Sequence, residues 1–190
     1  MSPTLKRIVL LVAVTLLVSG CGIFHGGPGP MAGDARGERG ETASRTTAKA
    51  EASAPQLAKV VWHVDFGDPK RLSAMIQNVN NMVSTYQGNF QEYDVRVVFL
   101  AAGIRFVTED ALKNTPFAED KTFRAQRKDL IQRLNQLREL HNVKLEYCEL
   151  TRDAINLPKD KIIAGVEPVV SGVVRIAELQ SKGYAYLKVE

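Results

Sequence analysis

The sequence predicts an α/β fold, a three-layer α/β/α sandwich around a mainly parallel five-stranded sheet. Between residues 59 and 190, strand-like and helix-like stretches alternate, the order that builds parallel sheets through helical crossovers. The first two strand candidates, residues 59–65 (KVVWHVD) and 94–102 (DVRVVFLAA), carry apolar residues on both parities, as strands buried on two faces do. The stretches between them repeat apolar residues at three- and four-residue steps, the stripe of a helix lying on a sheet.

Taken in order, the first strand ends at Asp65 and Pro69 opens a helix, because its fixed φ and missing N–H suit a first turn. Leu72, Met75, Ile76, Val79, Met82, Val83 and Tyr86 form the buried stripe, which ends at Gly88. Asn78, Asn80 and Asn81 lie inside this helix, where each is worse than alanine by a few tenths of a kcal/mol or more. Asn78 and Asn81 border the stripe and can bond a loop or a neighbouring subunit. The second strand is closed by Gly103, read as a turn that a side chain would obstruct. Phe123, Leu130, Ile131, Leu134, Leu137 and Leu140 mark a long helix, with His141 set to meet its last carbonyls. KLEYC, residues 144–148, is the third strand. Thr151 is then read as the N-cap of a short helix over residues 152–156. Residues 162–170 hold a short β segment interrupted by Gly165 and Pro168. Val173, Val174, Ile176, Ala177 and Leu179 give a last helix with Gly183 as its C-cap, and residues 184–189 a final strand.

The amino-terminal part has another composition. Lys6 and Arg7 precede an apolar run over residues 8–18, too short to span a bilayer and read as a secretory signal. It ends in Leu17-Val18-Ser19-Gly20-Cys21, which resembles a bacterial lipobox. That resemblance implies cleavage after residue 20 and lipid on Cys21. By the same sorting rule, Gly22 in place of aspartate favours the outer membrane, facing the periplasm. Residues 22–57 are rich in Gly, Ala, Ser and Thr and cannot bury a core. They read as a tether with a reach on the order of 35 Å. The HGGPGP run from His25 follows no strand and opens no helix, so it is no phosphate loop, and His25 is read as solvated. The organisation is therefore a signal peptide (1–20), a lipidated tether (21–58) and one domain (59–190).

Lys and Arg number 25 against 21 Asp and Glu, for a net charge of +4. Within residues 59–190 the charges nearly balance and gather in no patch, so nucleic acid is not an expected partner. Two cysteines are present; with Cys21 lipidated, Cys148 is the remaining thiol, and no internal disulfide can form. Ligands of parallel sheets gather beyond the carboxyl ends of the strands. That edge is expected to carry Asp65, Phe66, Gly67, Gly103 and Cys148. At a strand end before a helix, Cys148 can be a stabilised thiolate or a small buried hydrophobe. His63 and Asp65 share a strand face and can orient and ionise a nearby thiol; the plainer reading of His63 is a core histidine satisfied by a carbonyl. A metal would need His63, Asp65 and Cys148 to converge, with no paired ligand spacing, so no metal and no cofactor are expected.

The segments VVWHVDFGDP from Val60, NVNNM from Asn78, VVFLAAG from Val97, YCELT from Tyr147 and VVSGVVRIAELQSKGYAYL from Val169 resemble the DsrE/DsrF-like family of sulfur-relay proteins. The resemblance covers residues 59–190. It implies a YchN-like fold, assembly into a homo-oligomer such as a trimer or hexamer, and a cysteine that carries sulfur as a persulfide, with a donor or acceptor protein as partner. Cys148 matches the family cysteine, supported by His63, Asp65 and Thr151; Leu150 stands where relatives often show Asn. Three functions follow: a persulfide carrier, a non-catalytic envelope binding or assembly module, and a thiol redox sensor. A carrier and a sensor need an accessible thiol, whereas a module predicts a buried one.

Overall fold

The structure, a computed structural model, describes residues 56–190. The expected signal peptide, Cys21, His25 and nearly all of the tether lie outside the described residues. Five strands, β1 (Ala58–Val64), β2 (Tyr93–Phe99), β3 (Lys144–Cys148), β4 (Val166–Val169) and β5 (Ala185–Leu187), form one sheet in the order β4-β3-β2-β1-β5. Every pairing is parallel. The connections are α1 (Pro69–Gly88), α2 (Lys121–His141), the short α3 (Glu149–Ala154) and α4 (Gly172–Ser181).

Strand parity divides the apolar residues between two faces. Val60, Trp62, Val64, Val95, Val97, Phe99, Leu145 and Tyr147 pack with Leu72, Met75 and Val79 of α1 and Leu130, Leu134 and Leu137 of α2 in the main core. Val61, Val98, Leu100 and Cys148 take the opposite face, against Ile176 and Leu179 of α4. The second face is thinly covered, because α4 has 10 residues where α1 and α2 have 20 and 21.

Helix starts follow the local chemistry. Asp68 precedes Pro69 and accepts from the Lys70 N–H at 2.7 Å, and Asp120 caps α2 by accepting from the Phe123 N–H at 2.8 Å. An aspartate before the first turn satisfies donors that have no helical partner.

Three boundaries differ from the sequence reading. The second strand stops at Phe99, not residue 102: Ala101 has φ +47° and residues Ala101–Val107 wind into a 3-10 helix. Gly103 is required there, since a Cβ on it would lie 2.1 Å from the Val64 carbonyl oxygen. Arg105 in this segment is buried; its two terminal nitrogens donate to the carbonyls of Gly67 and Ala118 and the carboxylate of Asp120, while its Nε has no partner among the described residues. The fourth strand begins only at Val166, with Ile162 limited to an isolated antiparallel bridge to Thr108. The last strand has three residues. Gly183 does sit just beyond α4, with φ +84°.

Candidate functional site

Cys148 is the last residue of β3, paired with Val169 of β4, at the carboxyl edge of the sheet. Its parity turns it toward α4, and it is 5% exposed among Val61, Val98, Leu100, Ile176 and Leu179. The first turn of α4 closes on it. A Cβ added to Gly172 would lie 3.1 Å from the Cβ of Leu100 and 3.3 Å from that of Cys148. Glycine is what lets the helix approach the thiol so closely.

Thr151 is not the cap of the following helix. That helix starts at Glu149, so Cys148 itself occupies the N-cap position, with no side-chain capping bond, and Thr151 lies within α3. The Thr151 hydroxyl instead accepts from the Ala101 N–H at 3.1 Å. It ties the turn after β2 to the helix after β3. Neighbouring charges are engaged elsewhere: Arg152 donates to the Leu157 carbonyl at 2.7 Å and to Asp153, and Glu149 pairs with Lys159 at 2.6 Å.

His63 and Asp65 are not brought to Cys148. They share its face, but β2 lies between β1 and β3, so two strand spacings, roughly 10 Å, separate them. They form their own cluster at the β1–β5 margin. His63 Nδ1 is 2.8 Å from the Tyr186 hydroxyl, its Nε2 is 3.7 Å from Asp65, and Lys188 donates to Asp65 at 2.9 Å. Burial lowers the His63 pKa, against the opposing pull of Asp65. Burial alone would raise the Asp65 carboxyl, but the Lys188 hydrogen bond with the His63 and Lys188 charges holds it below its ordinary value. The backbone-carbonyl partner expected for His63 is replaced by a tyrosine hydroxyl.

The sequence reading missed the polar network beside Cys148. Glu146, 4% exposed, accepts from Arg96 at 2.8 Å and from Arg175 of α4 at two points, each 2.8 Å. Asp94 accepts from Arg96, Lys144 and Tyr184 at 2.8 to 3.0 Å. Burial would raise both carboxyls, but the arginine hydrogen bonds outweigh it and both pKa values are lowered. Parity was the available signal: DVRV and KLEYC put Asp94, Arg96, Lys144, Glu146 and Cys148 on one face. What parity lacks is the partner from α4.

The other residues singled out play smaller parts. Asn78, Asn80 and Asn81 are exposed and make no side-chain hydrogen bond among the described residues. His141 does not bond the last carbonyls with its ring; its own carbonyl accepts from the Tyr93 hydroxyl at 2.8 Å. A cleft of about 630 Å³ lies elsewhere, lined by Asp110, Asn135, Arg138 and Lys161 among others. Among the described residues, no group of three or more His, Cys, Asp or Glu side chains is placed to hold a metal ion, and no helix is long and apolar enough to cross a membrane.

No curated protein matches the chain. Among solved structures, the protein of unknown function MTH1491 from Methanobacterium thermoautotrophicum is similar at 24% identity and a TM-score of 0.52, over 69% of this chain and 98% of its own. The ychN protein of E. coli is similar at 14% identity and a TM-score of 0.44, over 70% of this chain and 99% of its own. The first supports the fold: a parallel five-stranded sheet flanked by helices. The model of the DsrE/DsrF-like family matches residues 59–189, and on that match the chain belongs to the DsrE/DsrF-like family.

Proposed function

We propose that the chain is an envelope lipoprotein, held to the periplasmic face of the outer membrane by lipid on Cys21, whose DsrE/DsrF-like domain works as a binding and assembly module. The observation that favours a module is the burial of Cys148, 5% exposed beneath α4. A carrier or sensor thiol must meet its reactant, and a thiolate needs a cation or open donors beside it. Here the nearest basic groups are committed to other partners. The asparagines exposed along α1 are polar groups suited to a subunit contact, in line with a trimer or hexamer.

A second reading is supported by family membership and by the place of Cys148 at the carboxyl edge of a parallel sheet. In it the thiolate attacks a sulfane sulfur of a polysulfide or of a donor protein. A bond forms to Sγ, the donor S–S bond breaks, and the shortened donor leaves with the electron pair. An acceptor thiolate later attacks the outer sulfur and releases Cys148. This route needs the first turn of α4 to lift.

One experiment separates the two. The mature chain is incubated with polysulfide and its mass compared with that of Cys148→Ser, alongside alkylation before and after unfolding. A module gives no adduct and alkylates slowly, through rare opening of α4, until it is unfolded. A reductant-reversible gain of one sulfur atom, absent from Cys148→Ser, overturns the module reading in favour of the relay. The anchor is tested by Cys21→Ala, which should abolish the lipid mass and membrane association, and assembly by light scattering, which should give a trimer or larger.

A further inference from the structure

Helices that alternate with parallel strands end where the strands begin, so α1, α2 and α4 all terminate at the amino-terminal edge of the sheet. There, α1 and α4 close with the same pair of backbone bonds. After α4, the Gly183 N–H donates to the Gln180 carbonyl at 3.0 Å and the Tyr184 N–H to that of Leu179 at 3.1 Å. After α1, the Phe90 N–H donates to Gln87 at 3.1 Å and the Gln91 N–H to Tyr86 at 2.9 Å. The first residue of each pair is left-handed, with φ +84° at Gly183 and +53° at Phe90; α2 ends on Asn142 at +52°. Glycine and asparagine suit that conformation, and a bulky side chain does not.

Phe90 therefore breaks the rule that the other two termini keep, and it places its ring in water, 94% exposed. Two unfavourable choices coincide at one residue, and no packing inside the domain offsets them. Such a local conflict marks a residue selected for something outside the fold. Leu140, 70% exposed in the last turn of α2, and Leu57, 39% exposed just before β1, lie at the same end of the sheet in chain order, Leu140 beside the groove between α1 and α2. Lys144 and Lys182 are exposed there with Lys59 close by, against Glu92 and Glu139. This is also where the chain departs toward Cys21: Gln91 Nε2 donates to the Gln56 carbonyl, and the Ala58 N–H to that of Glu92 at 2.9 Å.

We propose that this edge is a bilayer-docking surface, with Phe90, flanked by Leu57 and Leu140, entering the boundary between headgroups and acyl chains. The inference rests on the lipoprotein reading. A tether with a reach on the order of 35 Å holds the domain near the surface at an effective concentration of millimolar order, so one aromatic and two leucines are enough to occupy it. Docking by the amino-terminal edge turns the carboxyl edge, with Cys148 and Asp65, away from the membrane.

The test uses the full mature chain carrying Phe90→Cys labelled with an environment-sensitive fluorophore, with Cys148→Ser to make the label unique. It is reconstituted into phosphatidylethanolamine–phosphatidylglycerol vesicles with and without brominated acyl chains, and the lipid on Cys21 is read by mass. The expected result is a blue-shifted label quenched roughly twofold or more by brominated lipid, a depth reached by interfacial anchors. A lipidated chain with a water-like label overturns docking and leaves the anchor intact. An unlipidated chain whose label is still quenched keeps docking and removes the anchor, and one with a water-like label removes both. A label buried without vesicles, in a particle of twice the mass, shows a second copy on the patch and overturns the proposal. Phe90→Gly supplies the independent check, because it relieves the left-handed backbone. It should melt at the same or a higher temperature, while a fluorophore at Gln87→Cys loses its blue shift. A lower melting temperature would make Phe90 a packing residue and overturn the proposal.

Discussion

Arg175 on α4 grips Glu146 on β3 through two hydrogen bonds of 2.8 Å, two residues along the strand from Cys148. This bidentate pair and the apolar contacts of Ile176 and Leu179 are what hold α4 over the thiol. Glu146 also binds Arg96, so neutralising it leaves two guanidinium groups facing each other in a partly buried site. Glu146→Gln should cost about 3 kcal/mol in urea unfolding, the lower end for breaking a buried pair. Native-state alkylation of Cys148 should speed up by roughly tenfold as α4 opens more often. Unchanged alkylation together with lost stability would mean that the pair holds the sheet but not the helix.

The same network sets the response to acid. The folded-state pKa values of Glu146 and Asp94 lie below their ordinary values of 4.5 and 3.8. Protons therefore bind the unfolded chain more readily, so the stability these groups contribute is present above the ordinary values and is lost as pH falls through the lowered ones. Below about pH 4.5 urea midpoints should fall more steeply than the His63 contribution alone would give, and Glu146→Gln should flatten that steeper part. An identical acid slope in the variant would place the titration elsewhere.

Gly172→Ala tests the fit of α4 against the thiol. The new methyl would meet two β-carbons at 3.1 and 3.3 Å, and β-carbons cannot swing aside. Overpacking of this kind outweighs the better helix propensity of alanine, for a net loss of about 1 kcal/mol in thermal or urea unfolding. Faster alkylation of Cys148 should accompany it. A gain in stability would mean that the helix has room to settle.

Much of the fold is legible in the sequence because its signals are local. The two-parity apolar runs of β1 and β2, the stripe from Leu72 to Tyr86 and the Pro69 helix start each need only neighbouring residues to be read. The failures share one cause. Residues 100–102 have strand composition, yet Leu100 bonds back to the Val64 carbonyl and Gly103 packs on it, a contact between segments far apart in sequence. Thr151 has capping chemistry but lies inside α3, with its hydroxyl taken by Ala101 across the sheet edge. His63 and Cys148 share a face by parity, but strand order, which parity does not encode, puts β2 between them. The burial of Cys148 depends on where α4 lands, and a stripe of apolar residues shows that a helix packs without showing on what.

Thr151 gives a test of that tertiary hydroxyl. Thr151→Val keeps the shape and removes the acceptor for the Ala101 N–H, at a residue whose φ of +47° already strains the turn. The expected loss is about 1 kcal/mol, the net worth of one hydrogen bond, and Thr151→Ser should recover most of it. Hydrogen exchange should localise the change to the Ala101 amide. Equal destabilisation by serine would point to the methyl group instead.

Titration of the His63 cluster reports on the β1–β5 margin. Burial lowers the His63 pKa below its ordinary value of 6.5, while Asp65 pulls it up and Lys188 pulls it down. The unfolded chain therefore takes up a proton that the folded chain refuses. The stability linked to His63 is present above about pH 6.5 and is lost as pH falls through the lowered value. An NMR titration of the ring should give a midpoint below 6.5, and Asp65→Asn should move it lower still, because the stronger of the two carboxylates that raise it is lost while the Lys188 charge, now facing Glu190 alone, remains. Tyr186→Phe removes the 2.8 Å partner of Nδ1 without changing the charges, so it should disturb the tautomer balance more than the midpoint. A midpoint above 6.5 in the wild type would mean that the Asp65 attraction exceeds burial and that His63 is held as a cation beside its carboxylate.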